Sequence, residues 1–531
     1  MRKITNYLSI ALLIPFVFSC TDLEIEGTDS LISDGFAGVA NIKGEVDNIS
    51  NTIANGALAN QESLYALNEV TTDEYFVPTR GTDWGDNGRW LSIHQQTWNA
   101  ELFDVVQPWQ ALNSVTINAS RVINEKSVNT ASGDVAQLKA EARFYRAWAM
   151  EWILDMWRQV PIRNVDEPNS AIPDVLTGQD AIDFIVADLT AALPDLPTVT
   201  AADGIDLKSR PTKAAANLLL ARLHLNKHVY LDTSPDNADM QVVINAVDAI
   251  TADGYTLAAP GEYFDIFRPS NDVETIWWSP ADTGPRIWNT LHYSQDWPGV
   301  NDGGGWNGFV TLSEFYQLFE GDPDVNTPGS GQEERRGVVH DASTADEDNL
   351  GIGLGFLIDQ QYDQDGTPLN ARNNVGGVPL VFTKEAEKTE YSAPADNAVL
   401  ETAGTRLLKY HPNEEGGDRR RHIVRYRYAD AYLMKAEAMW RMGGDPLTMI
   451  NALRSQRGAT ELTGPLDGQD LLDERGRELY GEMVRRQDLI RFDQYLRAWN
   501  QKEAGSDHLK IFPIPVSDVL ANPNLSQNPG Y

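Results

Sequence analysis

Residues 471–492 read LLDERGRELYGEMVRRQDLIRF, and the last residues of the chain, 511–531, read IFPIPVSDVLANPNLSQNPGY. Four apolar residues of the first stretch recur at gaps of 7, 4 and 7, which places them on one face of a helix: Leu472, Leu479, Met483 and Ile490. Two charge pairs have helical spacing, worth about 0.3–0.5 kcal/mol each on an exposed face: Asp473 with Arg477 and Glu482 with Arg486. Periodicity alone therefore predicts a solvated, amphipathic helix.

The tail cannot form a long helix or a central strand, because four prolines interrupt it: Pro513, Pro515, Pro523 and Pro529. A terminus rich in Pro and Asn would ordinarily fray. This tail also carries six apolar side chains that can bury surface: Ile511, Phe512, Ile514, Val516, Val519 and Leu520. We therefore expect it to run extended and to dock on the body of the protein.

Several blocks of this region, taken in order, resemble the C-terminal signature of the SusD/RagB family. They are residues 472–492, Phe512-Pro513-Ile514-Pro515, Asn522-Pro523-Asn524-Leu525 and Gln527-Asn528-Pro529-Gly530-Tyr531. Members of this family are surface lipoproteins that bind nutrients beside a TonB-dependent transporter. The resemblance implies a mainly α fold, in which a tetratricopeptide-like helical repeat scaffold carries a long, irregular, loop-rich insertion with the ligand site.

Length and charge limit the classes of partner. A chain of 531 residues can bury a large core and could form two to four domains. Its net charge of −34 disfavours nucleic acid, whose phosphates it would repel, and it also disfavours docking on an anionic membrane through a basic patch. We predict no nucleic-acid partner.

The N-terminus has the features of a lipoprotein signal peptide, residues 1–19. Arg2 and Lys3 precede an apolar segment that is too short to span a bilayer. Val17-Phe18-Ser19-Cys20 resembles a lipobox, and Cys20 is the only cysteine in the chain. We expect lipid attachment at Cys20. With the family resemblance, this places the protein on the outer membrane, anchored by lipid and facing the cell exterior.

The chain divides into two predicted regions after the signal peptide. Residues 20–254 form a SusD-like N-terminal helical region, and residues 255–531 form a RagB/SusD C-terminal region. The second region contains an irregular insert (255–424), a helical return (425–500) and the docked tail (501–531). Helices are predicted at residues 38–68, 105–122, 133–157, 179–193, 211–230, 240–252, 425–441, 446–457 and 471–499.

Small residues recur within these helices. Lys139-Ala140-Glu141-Ala142 is echoed by Lys435-Ala436-Glu437-Ala438. Alanine at helical spacing lets neighbouring helices approach closely, so the echo favours stacked helix pairs.

Aromatic residues concentrate in two loop stretches, which hold eight of the 14 tryptophans. Indole rings stack on the C–H faces of sugars, while Asn, Asp and Arg hydrogen-bond hydroxyl groups. The alternative for any one of these rings is that it only fastens its loop to the scaffold. The candidate ligand-binding residues are Arg80, Trp84, Asp86, Trp90, Trp288, Tyr293, Trp297 and Trp306.

Motifs for metals, cofactors and catalysis are weak. No HExxH pair, Walker loop, Rossmann fingerprint or GxSxG occurs. Asp363-Gln364-Asp365-Gly366 fits an acidic turn better than a calcium loop, and Gly303-Gly304-Gly305 fits a flexible turn. We predict no catalytic residue, no metal and no cofactor.

The leading hypothesis is a lipid-anchored protein that binds an oligosaccharide and passes it, without catalysis, to a SusC-like TonB-dependent transporter. Three alternatives remain open. A surface glycoside hydrolase needs only two suitably placed carboxylates among 77 acidic residues. The same scaffold could carry peptide cargo, or it could assemble other surface proteins.

Overall fold

The structure is a computed structural model that describes residues 38–80, 83–168, 170–281, 284–296, 304–371, 377–386, 401–413 and 422–531. Two of the candidate site residues, Cys20 and Trp297, lie outside these ranges, as does the predicted signal peptide. The predictions made for them, including lipid attachment, stay predictions.

Fifteen α-helices are found in the described residues. They are α1 Ile42–Ala54, α2 Leu64–Glu69, α3 Arg89–His94, α4 Phe103–Ile123, α5 Val135–Trp157, α6 Gly178–Ala192, α7 Lys213–Tyr230, α8 Asn237–Ala252, α9 Gly284–Trp288, α10 Ser313–Tyr316, α11 Tyr428–Arg441, α12 Leu447–Gln456, α13 Gly468–Leu479, α14 Arg485–Arg491 and α15 Val516–Ala521.

The strands found among the described residues are short and form five small antiparallel sheets, in the orders β1-β5, β10-β7-β6, β11-β4, β2-β3 and β8-β9. Their bounds are β1 Tyr75–Phe76, β2 Gln159–Ile162, β3 Asp174–Thr177, β4 Thr275–Ser279, β5 Val310–Thr311, β6 Gly337–Val338, β7 Leu354–Leu357, β8 Asp359–Gln360, β9 Val381–Phe382, β10 Arg406–Leu408 and β11 Ile423–Arg427.

Helices packed in sequence form the scaffold. α4 packs on α5, α5 on α6 and α7 on α8, and α8 then packs on α11. Ala214, Ala215 and Ala216 of α7 are fully buried, which lets the neighbouring helices approach closely. This arrangement confirms the predicted mainly α, tetratricopeptide-like scaffold. Within the described ranges, none of the helices combines the length and the hydropathy that crossing a bilayer requires.

The single helix predicted over residues 471–499 is wrong. The chain forms α13 and α14 instead, and between them Gly481 and Met483 adopt φ values of 69° and 65°. The break frees two backbone N–H groups, which donate to buried carboxylates: Gly481 N to Glu74 Oε2 at 3.2 Å and Met483 N to Glu69 Oε1 at 2.5 Å. These long-range bonds favour the break over a continuous helix.

The charge pairs predicted from helical spacing are also wrong. Arg477 pairs with Glu474 at 2.6 Å, and Arg486 pairs with Asp155 at 2.5 Å. Glu482 binds Arg427 at 2.7 Å. The stretch is largely buried rather than solvated, and Glu482 and Arg486 have their partners outside it.

The tail packs against the end of α5. Phe512 N donates to Met156 O at 2.8 Å, and Trp157 Nε1 donates to Pro513 O at 3.1 Å. Asn528 Nδ2 donates both to Trp157 O at 3.1 Å and to Phe512 O at 2.7 Å. The short helix α15 lies between Pro515 and Pro523, where the chain is free of proline.

Candidate functional site

Two loops that are far apart in sequence meet at the candidate site. The first runs from β1 to α3, and the second runs from α9 to β5. β1 pairs with β5 in antiparallel register, with Tyr75 opposite Thr311 and Phe76 opposite Val310. This pairing brings the start of the first loop to the end of the second.

A hydrogen bond between the loops holds Trp84 in an uncommon backbone conformation. Its φ is 60°, a value that costs energy for a bulky residue unless surrounding contacts fix it. Trp84 Nε1 donates to Trp306 O at 2.7 Å. The indole also lies so close to Gly308 that a Cβ there would be 2.4 Å from the ring. The site therefore needs glycine at position 308.

Three aromatic rings pack together beneath this contact. Trp84 lies 5.4 Å from Trp90 and 5.8 Å from Phe309, measured between ring centroids, and Trp90 lies 5.4 Å from Phe309. Trp90 Nε1 donates to Asp86 Oδ2 at 2.6 Å, while the Asp86 residue itself is exposed. The buried rings thus fix the position of a half-buried indole and an exposed carboxylate.

Tyr293 joins the two loops a second time. Its hydroxyl donates to Asp83 Oδ2 at 2.6 Å. Gly304 and Gly305 run against the carbonyl groups of Tyr293 and Leu291, where a Cβ would come within 1.9 and 2.1 Å of oxygen. Both glycines are buried, so the prediction of a flexible turn is wrong for them, while Gly303 lies outside the described residues.

We call Trp84, Tyr293 and Trp306 the platform. Trp306 is 40% exposed, and Trp84 and Tyr293 are half-buried. Asp86 and Asn87 are exposed beside Trp84 in the first loop. The platform thus combines indole and phenol surface with carboxylate and amide groups, a combination that can contact the apolar face and the hydroxyl groups of a sugar.

Three of the predicted contact residues lie beneath the platform instead of on it. Arg80, Trp90 and Trp288 are only 4%, 1% and 6% exposed. Arg80 Nη2 donates to Ala403 O at 3.0 Å, and the Trp288 carbonyl accepts a hydrogen bond from Trp306 N. Their burial corrects the prediction of ligand contact and gives them a supporting role.

Two supporting residues were missed in the sequence. Gly308 accommodates the Trp84 ring, and Arg406 donates to Asn307 Oδ1 and to Glu401 O, both at 2.8 Å. Burial, together with the nearby Arg80 guanidinium, lowers the pKa of Arg406 well below its usual value. The dipeptide Asn307-Gly308, directly after Trp306, is typical of a turn. Nothing local in the sequence pointed to Arg406.

His292, the residue before Tyr293 in the chain, is buried. Burial lowers the pKa of His292 to about 4, so its imidazole is neutral near pH 7. Its Nδ1 accepts a hydrogen bond from Ser294 N at 3.0 Å, which shapes the loop. Across the part of the chain that the structure describes, no group of three or more His, Cys, Asp or Glu residues is placed to hold a metal ion.

Comparison with known families gives two matches. Residues 273–531 match the SusD family, and residues 29–225 match a family described as starch-binding and associating with the outer membrane. Together the two matches cover most of the chain. The chain is 27% identical over 434 residues to the starch-binding protein SusD of Bacteroides thetaiotaomicron, covering 74% of this chain and 72% of that protein.

Solved structures show the same fold. A SusD-like protein from Bacteroides fragilis superposes with a TM-score of 0.66 at 18% identity, covering 92% of this chain and 96% of that one. Surface glycan-binding protein A from Bacteroides thetaiotaomicron, solved with laminarihexaose, gives a TM-score of 0.62 at 17% identity, covering 92% and 98%. Two family matches and a shared fold agree: the chain belongs to the SusD-like family.

Proposed function

We propose that this protein is a carbohydrate-binding lipoprotein of the outer membrane, which captures an oligosaccharide at the platform and passes it to a SusC-like TonB-dependent transporter without breaking a bond. Three similarities support the proposal: the description of the matched family, the name of the starch-binding relative, and the glycan bound by a protein of the same fold. Within the chain, the observation on which the proposal rests is the exposed indole of Trp306.

The geometry favours binding through preorganisation. The Trp306 carbonyl accepts the Trp84 Nε1–H, and the Trp306 backbone N–H donates to the Trp288 carbonyl. The backbone that carries the indole is therefore fixed, so binding need order only the side chain and not the loop at this residue. Asp86 and Asn87 are exposed and can hydrogen-bond the hydroxyl groups at the edge of the sugar.

Binding is tested by retardation of the purified protein in gels that contain starch, laminarin or other polysaccharides, followed by calorimetry with the matching oligosaccharides. We expect Trp306→Ala to weaken the affinity by about tenfold or more, because it removes the stacking surface. Trp440→Ala is the matched control, since Trp440 is a half-buried tryptophan of α11 packed on Phe492. Equal losses in both variants would contradict a site at Trp306.

Chromatography of the same mixtures tests catalysis. We expect no shorter oligosaccharides, and new products would favour the glycoside hydrolase alternative. If no polysaccharide retards the protein, peptide cargo becomes the better hypothesis.

The lipid anchor and the transporter need separate experiments. Cells grown with a labelled fatty acid should label the wild-type protein and not the Cys20→Ser variant. Affinity purification from the native outer membrane should recover a TonB-dependent transporter with the protein, and its absence would contradict the proposed partner.

A further inference from the structure

Two buried glutamates lie where the first loop of the platform leaves the helical scaffold. Glu69 ends α2, Glu74 precedes β1, and the two residues are 0% and 1% exposed. Their carboxyl groups hydrogen-bond each other. Two ionised carboxylates cannot form such a bond, because their oxygens only accept. The contact therefore requires that one of the two groups carries a proton.

Backbone contacts identify the oxygens that share this proton. Glu69 Oε1 accepts from Met483 N at 2.5 Å, and Glu74 Oε2 accepts from Gly481 N at 3.2 Å. The other two oxygens, Glu69 Oε2 and Glu74 Oε1, are buried and accept no hydrogen bond from an N–H or hydroxyl donor among the described residues. An O–H group of Glu74 that donates to Glu69 satisfies both oxygens at once.

The charged groups around the pair compensate one carboxylate and not two. Lys409 is already paired with Glu482 at 2.5 Å, and Arg485 is paired with Asp73 at 2.8 Å. Arg286 forms no ion pair in the part of the chain that the structure describes, and its charge favours ionisation of one glutamate of the pair. Because two like charges in one buried site repel each other strongly, the second glutamate stays protonated.

The titration of the pair follows from the same contacts. Burial, and then the charge of Glu69, raise the pKa of Glu74 well above its usual value. Tyr65 and Tyr75 also lie at the pair, and both hydroxyl groups stay neutral because burial raises their pKa. The folded protein thus binds the Glu74 proton more tightly than the unfolded chain does. The stability that this proton gives is complete below the pKa of the unfolded chain and is lost as the pH rises through the raised pKa.

The pair joins the helical scaffold to the platform. On the scaffold side, the break between α13 and α14 donates two backbone N–H groups to it. On the platform side, Glu74 directly precedes Tyr75 of β1, and the hydroxyl of Thr311 in β5 donates to Glu74 O at 2.7 Å. The Tyr75 ring lies 5.8 Å from that of Phe309, which packs on Trp84. Loss of the proton would place two negative charges in this joint.

We propose that Glu69 and Glu74 form a proton-dependent clamp. With one proton between them, they hold β1 on the break between α13 and α14. Loss of that proton at alkaline pH loosens β1 and weakens glycan binding at the platform. The clamp itself needs no ligand, whereas its effect on affinity rests on the proposed carbohydrate-binding function.

Infrared spectroscopy of the full chain in D2O tests the shared proton. A protonated carboxyl group has a C=O stretching band that carboxylates lack. At about pH 8, where an ordinary glutamate is ionised, we expect this band in the wild type and its loss in Glu74→Gln. The amide of this variant keeps the shape of the side chain and the hydrogen bond to Glu69.

Glu151→Gln is the matched control for the infrared experiment. Glu151 is also a buried glutamate, but its pKa is about 7, so most of its protons are gone at the pH of the measurement. Equal bands in Glu74→Gln and Glu151→Gln would overturn the shared proton. Glu69→Gln decides the matter if Glu74→Gln does not fold, since removal of the neighbouring charge should move the titration of the band to lower pH.

Comparison of pH profiles tests the clamp. Thermal unfolding and glycan affinity are measured from neutral to alkaline pH for the wild type and Glu74→Gln. We expect the wild-type affinity to fall about fivefold or more relative to that of the variant, together with a lower unfolding temperature. Burial lowers the pKa of Lys409 to about 8, so this group titrates in the same range, but it is present in both proteins and cancels in the comparison.

The outcomes separate the clamp from the proposed function. Parallel unfolding profiles in the wild type and Glu74→Gln would overturn the clamp even if glycan binds. Divergent unfolding profiles with parallel affinity profiles would overturn its effect on the platform. If no glycan binds at any pH, the proposed function fails, and the infrared band and the unfolding profiles still decide whether the clamp exists.

Discussion

The platform and the buried ionic centre of this protein are held in opposite ways. The ionic centre consists of Glu274, Glu474 and Glu478 with Arg335, Arg427 and Arg457, and all six residues are almost fully buried. Glu478 alone accepts hydrogen bonds from three of these guanidinium groups. The platform instead is held by hydrogen bonds and ring contacts between two loops, such as the bond from Trp84 to Trp306. Buried ion pairs fix the scaffold, while hydrogen-bonded loops present the rings.

The ionic centre is sensitive to the loss of any one charge. Burial alone would raise the pKa of Glu478, but Arg457, Arg427 and Arg335 hold it well below its usual value. A buried ion pair adds little net stability over apolar residues, because desolvation offsets the attraction between the charges. Removing one partner is different, since it leaves buried charges without compensation.

Glu478→Gln should therefore have the largest effect, a loss of about 3–5 kcal/mol in the free energy of unfolding. Urea denaturation followed by circular dichroism measures it. Lys43→Met is the control, because Lys43 forms an exposed pair with Asp47 and should change stability by less than about 1 kcal/mol. Similar losses in the two variants would show that the buried ionic centre is no more sensitive to the loss of one charge than an exposed ion pair is.

A buried glutamate with neutral donors should give a pH dependence. Glu151 accepts hydrogen bonds from Tyr230 and Gln487, both at 3.1 Å, and burial raises its pKa to about 7. The folded protein then binds the proton more tightly than the unfolded chain does, whose glutamates titrate near 4.3. The contribution of Glu151 to stability should therefore fall by about 3 kcal/mol as the pH rises from about 4.5 to 7.

Glu151→Gln should lack this fall, because its side chain stays neutral, and unfolding free energies measured from pH 4 to 8 would show it. Glu474 should give the opposite pH dependence, with stability lost on the acid side. Burial would raise its pKa, but Arg335, Arg477 and Arg454 hold it at about 2, so its stabilisation is lost as the pH falls below about 4.5. Parallel pH profiles for wild type and Glu151→Gln would contradict the assignment.

Local patterns predicted the scaffold helices but not the ionic centre. Charged residues at helical spacing look alike whether they face water or a buried partner, and the partners here are distant in sequence. Arg427 binds Glu274, and Arg485 binds Asp73. The loops of the platform could be found because tryptophans cluster there. The exposure of each ring and the fit of Gly308 against Trp84 depend on contacts between the two loops. No local sequence pattern encodes those contacts.

Gly308→Ala should weaken glycan binding more than it weakens the fold. A Cβ at this position would clash with the end of the Trp84 side chain, which can swing away, rather than with backbone. We expect an affinity about tenfold lower by calorimetry, and a smaller change in thermal stability. Gly204→Ala is the control, because a Cβ at position 204 would meet no atom within 4 Å. Unchanged affinity would show that Trp84 need not hold its position for binding.

Tyr531→Phe should have the smallest effect, and it should act on the fold alone. The Tyr531 hydroxyl accepts a hydrogen bond from Trp98 Nε1 at 2.8 Å and donates to Ile511 O at 2.8 Å, which fastens the tail. Its loss should cost about 1 kcal/mol of unfolding free energy. Glycan affinity should not change, because no platform residue takes part in these bonds. A variant that binds glycan more weakly at equal stability would mean that the tail and the platform are coupled, and that the scaffold does more than hold the loops in place.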